Sequence, residues 1–359
     1  MSIDNFPRIG DNRRTFAALN TFFMAHSITR INLDQLIGQL LSVGKSVVGL
    51  TEANGRFFYR QIATSAEMVL DSAVMPSNSI KEFIFPRSEA ICSYRHEGKQ
   101  LIVTNIEPDS CEQIIFGARP CDSASLPILD AVFGWDYQDS FYQHRRNNAT
   151  IISLACKAAD KDCFCTSVGH APDTQSGADA MLLQIGADSF EVRIFTEKGT
   201  ALFRGHTAES DKTGKTAEPP KTKFDAQQVK DYLRTHFDDP MFEHTSMRCV
   251  GCGSCTYVCP TCHCFDIVDE GGASKGKRMK NWDACQFAMF TLHASGHNPR
   301  SDQSARQRNR VQHKFSIYPE KFGTILCTGC GNCSRVCAAS LGIYPVLELI
   351  DQKANSAVN

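Results

Sequence analysis

The chain has 359 residues, of which 42% are hydrophobic and 21% charged, and its formal net charge is −1. At about 150 residues per domain that length asks for two or three domains, and the balance excludes wholesale disorder and a surface built to coat nucleic acid or anionic lipid. No apolar run reaches the roughly 18 residues of a membrane-spanning helix, whereas 17 cysteines are far more than ordinary use supplies.

In chain order, residues 1–27 read as a flexible tail. Asn12-Arg13-Arg14-Thr15-Phe16 has the look of a twin-arginine export motif, but the stretch after it is short, is broken by Asn20, Thr21 and His26, and has no small-residue cleavage site. Asn32 is expected to cap a helix that runs through Leu41. Residues 47–50, 56–62 and 101–106 read as short strands, 113–118 as a buried strand, 119–122 as a turn and 123–133 as a helix. A second buried strand, 150–155, ends at Cys156, and 181–185 with 190–195 form a hairpin. This alternation predicts an α/β domain over 28–205. Residues 206–239 read as a linker that ends in an amphipathic connecting helix from 225 to 237. The second domain, 240–350, is expected to be an α-helical dicluster ferredoxin-like unit whose stretch 275–320 is mostly helix-compatible, and 351–359 is a tail.

One internal repeat decides the chemistry. Cys249-x-x-Cys252-x-x-Cys255-x-x-x-Cys259-Pro260 recurs as Cys327-x-x-Cys330-x-x-Cys333-x-x-x-Cys337-Ala338, with Gly251, Gly253, Gly329 and Gly331 flanking the second cysteines. Thiols so closely bunched cannot pair as disulfides without strain, but three at intervals of three can wrap three corners of an iron–sulfur cubane. The glycines admit the backbone close to the cluster, and the fourth cysteine of such a run ligates the other cluster. The spacing therefore assigns Cys249, Cys252, Cys255 and Cys337 to one 4Fe–4S cluster, and Cys327, Cys330, Cys333 and Cys259 to another. Zinc ribbons use pairs of cysteines instead. Free thiols in this number imply a reducing compartment, the cytoplasm.

A third set lies in the α/β part. Cys121 follows one buried strand, Cys156 ends another, and Cys163-Phe164-Cys165 comes soon after. Ligands of open α/β sheets gather outside the carboxyl ends of the strands, so these four thiols are candidates for a third iron–sulfur cluster; a zinc site and buried structural cysteines are the alternatives. Cys92 and Cys111 read as ordinary thiols. Cys262 and Cys264 must lie near a cluster, as second-layer thiols, alternative ligands or a redox-active pair, and Cys285 has no assigned role. His293 and His297, four apart, could face one metal from a helix. The insertion between the repeats is basic, with Lys275, Lys277, Arg278, Lys280, Arg300, Arg306, Arg308, Arg310 and Lys314 against Asp283 and Asp302. It reads either as a docking face for an acidic redox partner or as a solvated helix face. Dinucleotide-binding and Walker fingerprints are absent from the sequence, and no nucleic-acid platform is interleaved with the basic residues.

The segments Gly117-Ala118-Arg119-Pro120-Cys121-Asp122, Cys163-Phe164-Cys165-Thr166-Ser167 and Cys259-Pro260-Thr261-Cys262-His263-Cys264-Phe265-Asp266 together carry a family resemblance. Arg310-Val311-Gln312-His313-Lys314-Phe315, Tyr318-Pro319-Glu320-Lys321-Phe322-Gly323 and Phe83-Ile84-Phe85-Pro86 with Glu89 belong to it as well. The chain, over 28–345, resembles the beta subunit of cytoplasmic nickel–iron hydrogenases of the sulfhydrogenase type, and the related A subunit of anaerobic sulfite reductase. It departs from the pattern at Ala338, where proline is usual, and at Ser79-Ile80-Lys81; neither removes a ligand. The resemblance implies an electron-transfer subunit without catalysis of its own. Its partners would be a flavin- and NAD(P)-binding redox subunit and a catalytic nickel–iron hydrogenase or reductase subunit. Three functions follow: relay in a hydrogenase, the equivalent relay in a sulfite reductase or other cytoplasmic reductase, and reduction of a sulfur or disulfide substrate at the thiols near Cys262 and Cys264.

Overall fold

The computed structural model describes residues 25–108 and 111–358; the arginine pair at 13–14 lies outside them. The strands, in chain order, are β1 Ala25–Thr29, β2 Ser46–Ala53, β3 Arg56–Gln61, β4 Ser88–Glu97, β5 Gln100–Asn105, β6 Gln113–Ala118, β7 Ala149–Leu154, β8 Ala180–Gln184, β9 Ser189–Ile194, β10 Ala208–Ser210, β11 Phe265–Gly271 and β12 Lys275–Trp282. Among the described residues they form an eight-stranded sheet, β10-β1-β9-β8-β7-β6-β2-β3, and a four-stranded sheet, β11-β12-β4-β5.

The larger sheet is parallel at its centre, where β2, β6, β7 and β8 pair in turn. β6 and β7 are almost wholly buried, as central parallel strands covered on both faces must be. The helix Arg30–Ser42 buries Leu33, Leu36, Ile37 and Leu40 on the sheet. Its cap is Thr29, whose side chain accepts the Asn32 N–H, so Asn32 lies inside the helix instead of capping it. Residues 25–27, expected in the tail, are part of β1, paired with β9 and β10. β6 carries a bulge at Gly117, whose φ is +74°. The Tyr59 hydroxyl donates to the Gly117 carbonyl and accepts the Arg119 N–H, which fixes how the chain leaves the strand toward Cys121.

The expectation of an α-helical second domain holds only in part. Helices flank both cysteine repeats, but 265–282 is the β11–β12 hairpin, and β12 pairs with β4 from the first half of the chain. Long charged side chains give β12 no strong local preference; a partner strand far away in sequence decides its state. Trp282 ties this sheet to the α/β core: its indole N–H donates to the Phe85 carbonyl at 3.1 Å, and its ring packs on Phe85. Lys280 reaches the carboxylates of Glu89 at 2.8 Å and Asp139 at 2.7 Å.

A second apolar core joins the helix Ala226–Thr235, the helical run from Gln303 to Phe322 and the helix Ile343–Val358 with Phe164 and Val168, and it includes Cys327 and Cys333. Residues 351–358, expected as tail, continue the last helix, where Lys353 bridges to Asp239 at 2.7 Å. No helix among the described residues is long and apolar enough to cross a membrane.

Candidate metal centres

The sequence repeat is a structural repeat. Gly251 and Gly253 have φ of +66° and +72°; Gly329 and Gly331 have +66° and +76°. Each pair leads into a single helical turn, Ser254–Tyr257 or Asn332–Arg335. The backbone bonds match: Thr256 N–H to Gly253 O and Ser334 N–H to Gly331 O are both 2.9 Å, and Cys259 N–H to Thr256 O and Cys337 N–H to Ser334 O are both 3.3 Å. Left-handed glycines at fixed offsets curl each loop into a matching cradle. The two helical turns pack on each other, and the Asn332 side chain donates to the Val258 carbonyl.

Cys259, at the end of the first repeat, faces Cys327 and Cys330 of the second. Lys314 reaches across this junction, donating to the Thr261 hydroxyl at 3.0 Å and the Leu326 carbonyl at 2.9 Å, with the Cys259 sulfur at 3.5 Å. In the first cradle Cys252 is exposed, and the Gln303 amide donates to the Cys249 sulfur at 3.2 Å. The Cys337 sulfur accepts the Leu341 N–H at 3.2 Å.

The electrostatics are those of a site made for an anion. Arg310 is only 3% exposed, and its Nε has no hydrogen-bond partner. It faces Cys255, Cys333, Cys262 and Cys285; burial alone would lower its pKa, and these thiols outweigh burial and raise it. Neither Arg310 nor Lys314 meets a carboxylate among the described residues. Both come from the run Arg310–Ile317, where the helix Gln303–Gln312 widens into a π-helical turn with Lys314, Phe315 and Ser316 all buried. Neither basic-face expectation therefore holds for Lys280, Arg306, Arg310 and Lys314, which all point inward. Burial pushes the Cys255 thiol up to about 11 against the pull of Arg310, and Cys327 up to about 12 against Lys314. Iron must therefore displace protons to bind there. Cys259 runs the other way, lowered first by a hydrogen bond with Cys262 and then by Lys314.

Cys121 and Cys156 follow the carboxyl ends of the adjacent parallel strands β6 and β7. Cys156 faces Cys163 and Cys165, and Cys121 faces Cys156, Cys163 and Cys330. Arg119 is 3% exposed, and its Nε and Nη1 are buried without partners beside this set. Arg335 joins the set to the second cradle: it pairs with Asp160 at 2.6 Å and donates to the Cys163 sulfur at 3.3 Å and the Cys330 carbonyl at 2.7 Å. The stretch expected as linker closes over it, through Ala217 N–H to Cys156 O at 2.7 Å and the Thr166 hydroxyl to Pro220 O at 2.7 Å.

The sequence names Arg310 and Lys314 as cations near an anionic cluster, but it does not show that Lys81 faces thiols as well. Lys81 is 2% exposed, donates to the Cys262 carbonyl at 2.9 Å and stands 3.8 Å from the centroid of the Trp282 ring. Its only signal in the sequence is its nearness to the Phe83–Pro86 segment. Cys262 lies beside Cys259, and Cys264 lines one cavity with Cys285. His293 and His297 sit in a turn, not on one helix. Among the described residues no three His, Cys, Asp or Glu side chains are drawn in tightly enough to hold a single ion. The donor set fits iron–sulfur cubanes, which spread their thiolates over separate iron corners: paired thiol cradles, buried cations and orphaned guanidinium nitrogens.

The packing makes one substitution informative. A Cβ on Gly329 would lie 2.5 Å from the Cys165 backbone, whereas one on Gly323, at a similar φ of +72°, meets nothing within 4 Å. Gly329→Ala is expected to cost on the order of 3 kcal/mol or more and to lower bound iron; Gly323→Ala is expected to cost about 1 kcal/mol. Thermal midpoints of the two variants, with iron assays, check this.

Comparison with known proteins agrees with this chemistry. A family model described as a 4Fe-4S dicluster domain matches residues 248–341. The chain is 30% identical over 329 residues to sulfhydrogenase 2 subunit beta of Pyrococcus furiosus, an alignment that covers 88% of this chain and 94% of that protein. No solved structure matches it.

Proposed function

The chain belongs to the family of sulfhydrogenase beta subunits, and from that membership we propose that it relays electrons in the cytoplasm between a flavin- and NAD(P)-binding subunit and a catalytic nickel–iron hydrogenase subunit. The observation that carries the reading is the pair of buried cations, Arg310 and Lys314, set without carboxylates among the thiols of two matching cradles. Cys249, Cys252, Cys255 and Cys337 hold one 4Fe–4S cluster, and Cys327, Cys330, Cys333 and Cys259 hold the other; the facing of Cys259 onto Cys327 and Cys330 supports this exchange of ligands. Cys121, Cys156, Cys163 and Cys165 hold a third, with Arg119 and Arg335 as its cations. When bound, the clusters supply one-electron carriers at closely spaced points. The chain fixes their places, excludes water and sets their potentials through charge and hydrogen bonds. The exposed Cys252 marks the end nearest a partner, the second cradle lies inside, and the third set adjoins it through Arg335.

Iron and acid-labile sulfide in anaerobically purified protein test the proposal. About twelve irons per chain supports three clusters and about eight supports two; a colourless, iron-free protein would overturn it. Cys252→Ala is expected to lose about four irons and to abolish NAD(P)H-linked hydrogen turnover in the assembled complex while each partner keeps its partial activity. Cys156→Ala is expected to lose a different four, leaving both ferredoxin-type signals in the electron paramagnetic resonance spectrum.

A further inference from the structure

The relay leaves one thiol pair unused. Cys264 stands immediately before β11 and Cys285 shortly after β12, and the hairpin register that sets Phe265 opposite Trp282 brings them together. The Asp283 N–H donates to the Cys264 carbonyl at 3.0 Å, which closes the base of the hairpin. The two thiols lie side by side at the base of the hairpin, although 20 residues separate them in sequence. Both line one cavity of about 420 Å³, within the range of small-molecule sites. His263, His313, Phe290 and Arg300 share its wall, and the Arg300 guanidinium meets no carboxylate among the described residues. Cys264 is half-buried and Cys285 is 7% exposed, so the first is the sulfur a ligand meets and the second stands behind it.

We propose that Cys264 and Cys285 form a thiol–disulfide exchange site for low-molecular-weight disulfides that carry a carboxylate, which Arg300 receives. The Cys264 sulfur, after passing its proton to Cys285, attacks one sulfur of the substrate; a Cys264–substrate bond forms, the substrate S–S bond breaks, and the departing thiolate takes up a proton. The Cys285 sulfur then attacks Cys264, which forms the Cys264–Cys285 disulfide and releases the second substrate thiol with the proton Cys285 gave up. Two protein thiols are oxidised and one disulfide is reduced to two thiols, so the exchange balances without another reductant. The reverse exchange with a small thiol restores the pair. The site goes beyond the relay reading and does not require it.

The test uses anaerobically purified, iron-loaded protein and two probes: glutathione disulfide, which is anionic, and cystamine, which is cationic. With glutathione disulfide, peptide mapping is expected to find Cys264 linked to Cys285, two thiols released per chain, and unchanged iron. Cystamine is expected to react about tenfold more slowly, and Arg300→Gln to remove most of that preference. Cys285→Ser should trap glutathione on Cys264, whereas Cys264→Ser should give no linked product and little adduct at position 285. The exposed Cys111 serves as the reagent control in every sample. Absence of the linked peptide while Cys111 is modified overturns the proposal. So does a link found only in chains that have lost iron, because it would make the pair cluster ligands or thiols bared by cluster loss. Iron content, read in parallel, separates this failure from failure of the relay.

Discussion

Stripping the iron with an oxidant and a chelator is expected to unfold the region around the two cradles while the eight-stranded sheet stays folded. The second core is built partly from the ligands themselves, since Cys327 and Cys333 lie within it beside Val229, Leu233, Phe315 and Leu347. The proposed exchange of Cys259 and Cys337 between clusters closes long loops, and that constraint disappears with the metal. Arg310, Lys314 and Lys81 would then face thiols, several of which burial holds protonated, Cys255 at about 11 and Cys327 at about 12. A structural metal centre contributes on the order of 10 kcal/mol of apparent binding energy, which matches the whole stability of a typical domain. The sheet has its own core of Leu33, Ile37, Val47, Phe116, Ile152 and Leu182, with no thiol in it. Hydrogen exchange should show lost protection in Ala226–Thr235, Gln303–Gln312 and Ile343–Val358 and retained protection in β6 and β7. Equal protection with and without iron would falsify the claim that the clusters hold this region together.

Arg310→Met is expected to lower the midpoint potential of the cluster centres by about 100 mV, with Arg310→Lys recovering part of the loss. A cation several ångström from a reducible centre stabilises the electron-rich state; at an effective dielectric of about 20 the effect is on the order of 2–3 kcal/mol, about 100 mV for one electron. Methionine keeps much of the buried volume, and lysine keeps the charge without the planar fork. Redox titration followed by electron paramagnetic resonance reads the potential directly, and iron content shows whether the centres are intact. A full complement of iron with an unchanged potential would leave Arg310 as a packing residue only.

The parts of this protein legible in its sequence are those whose causes are local. Cys249, Cys252, Cys255 and Cys259 are close enough in the chain that one loop can present them, and the glycines that shape the loop sit among them, so both cradles could be read directly. The strands Gln113–Ala118 and Ala149–Leu154 announced themselves as short apolar runs because central parallel strands are covered on both faces. Their carboxyl ends in turn placed Cys121 and Cys156 side by side. Which cations of the basic insertion turn inward is not legible locally, because a charged residue's burial depends on what it faces, and Arg310 and Lys314 face thiols from segments distant in the chain. The hairpin Phe265–Trp282 was missed for a related reason: its partner strand, Ser88–Glu97, comes from the other half of the chain.

By itself, then, the sequence determined the cofactor chemistry and the buried strands of the α/β sheet, because ligand spacing and apolar runs act over a few residues. Tertiary structure alone decided which cations turn inward, how the third cysteine set meets the second cradle, and that Cys264 meets Cys285. Coulomb attraction and close packing act between neighbours in space, and the fold makes neighbours of residues the chain keeps far apart.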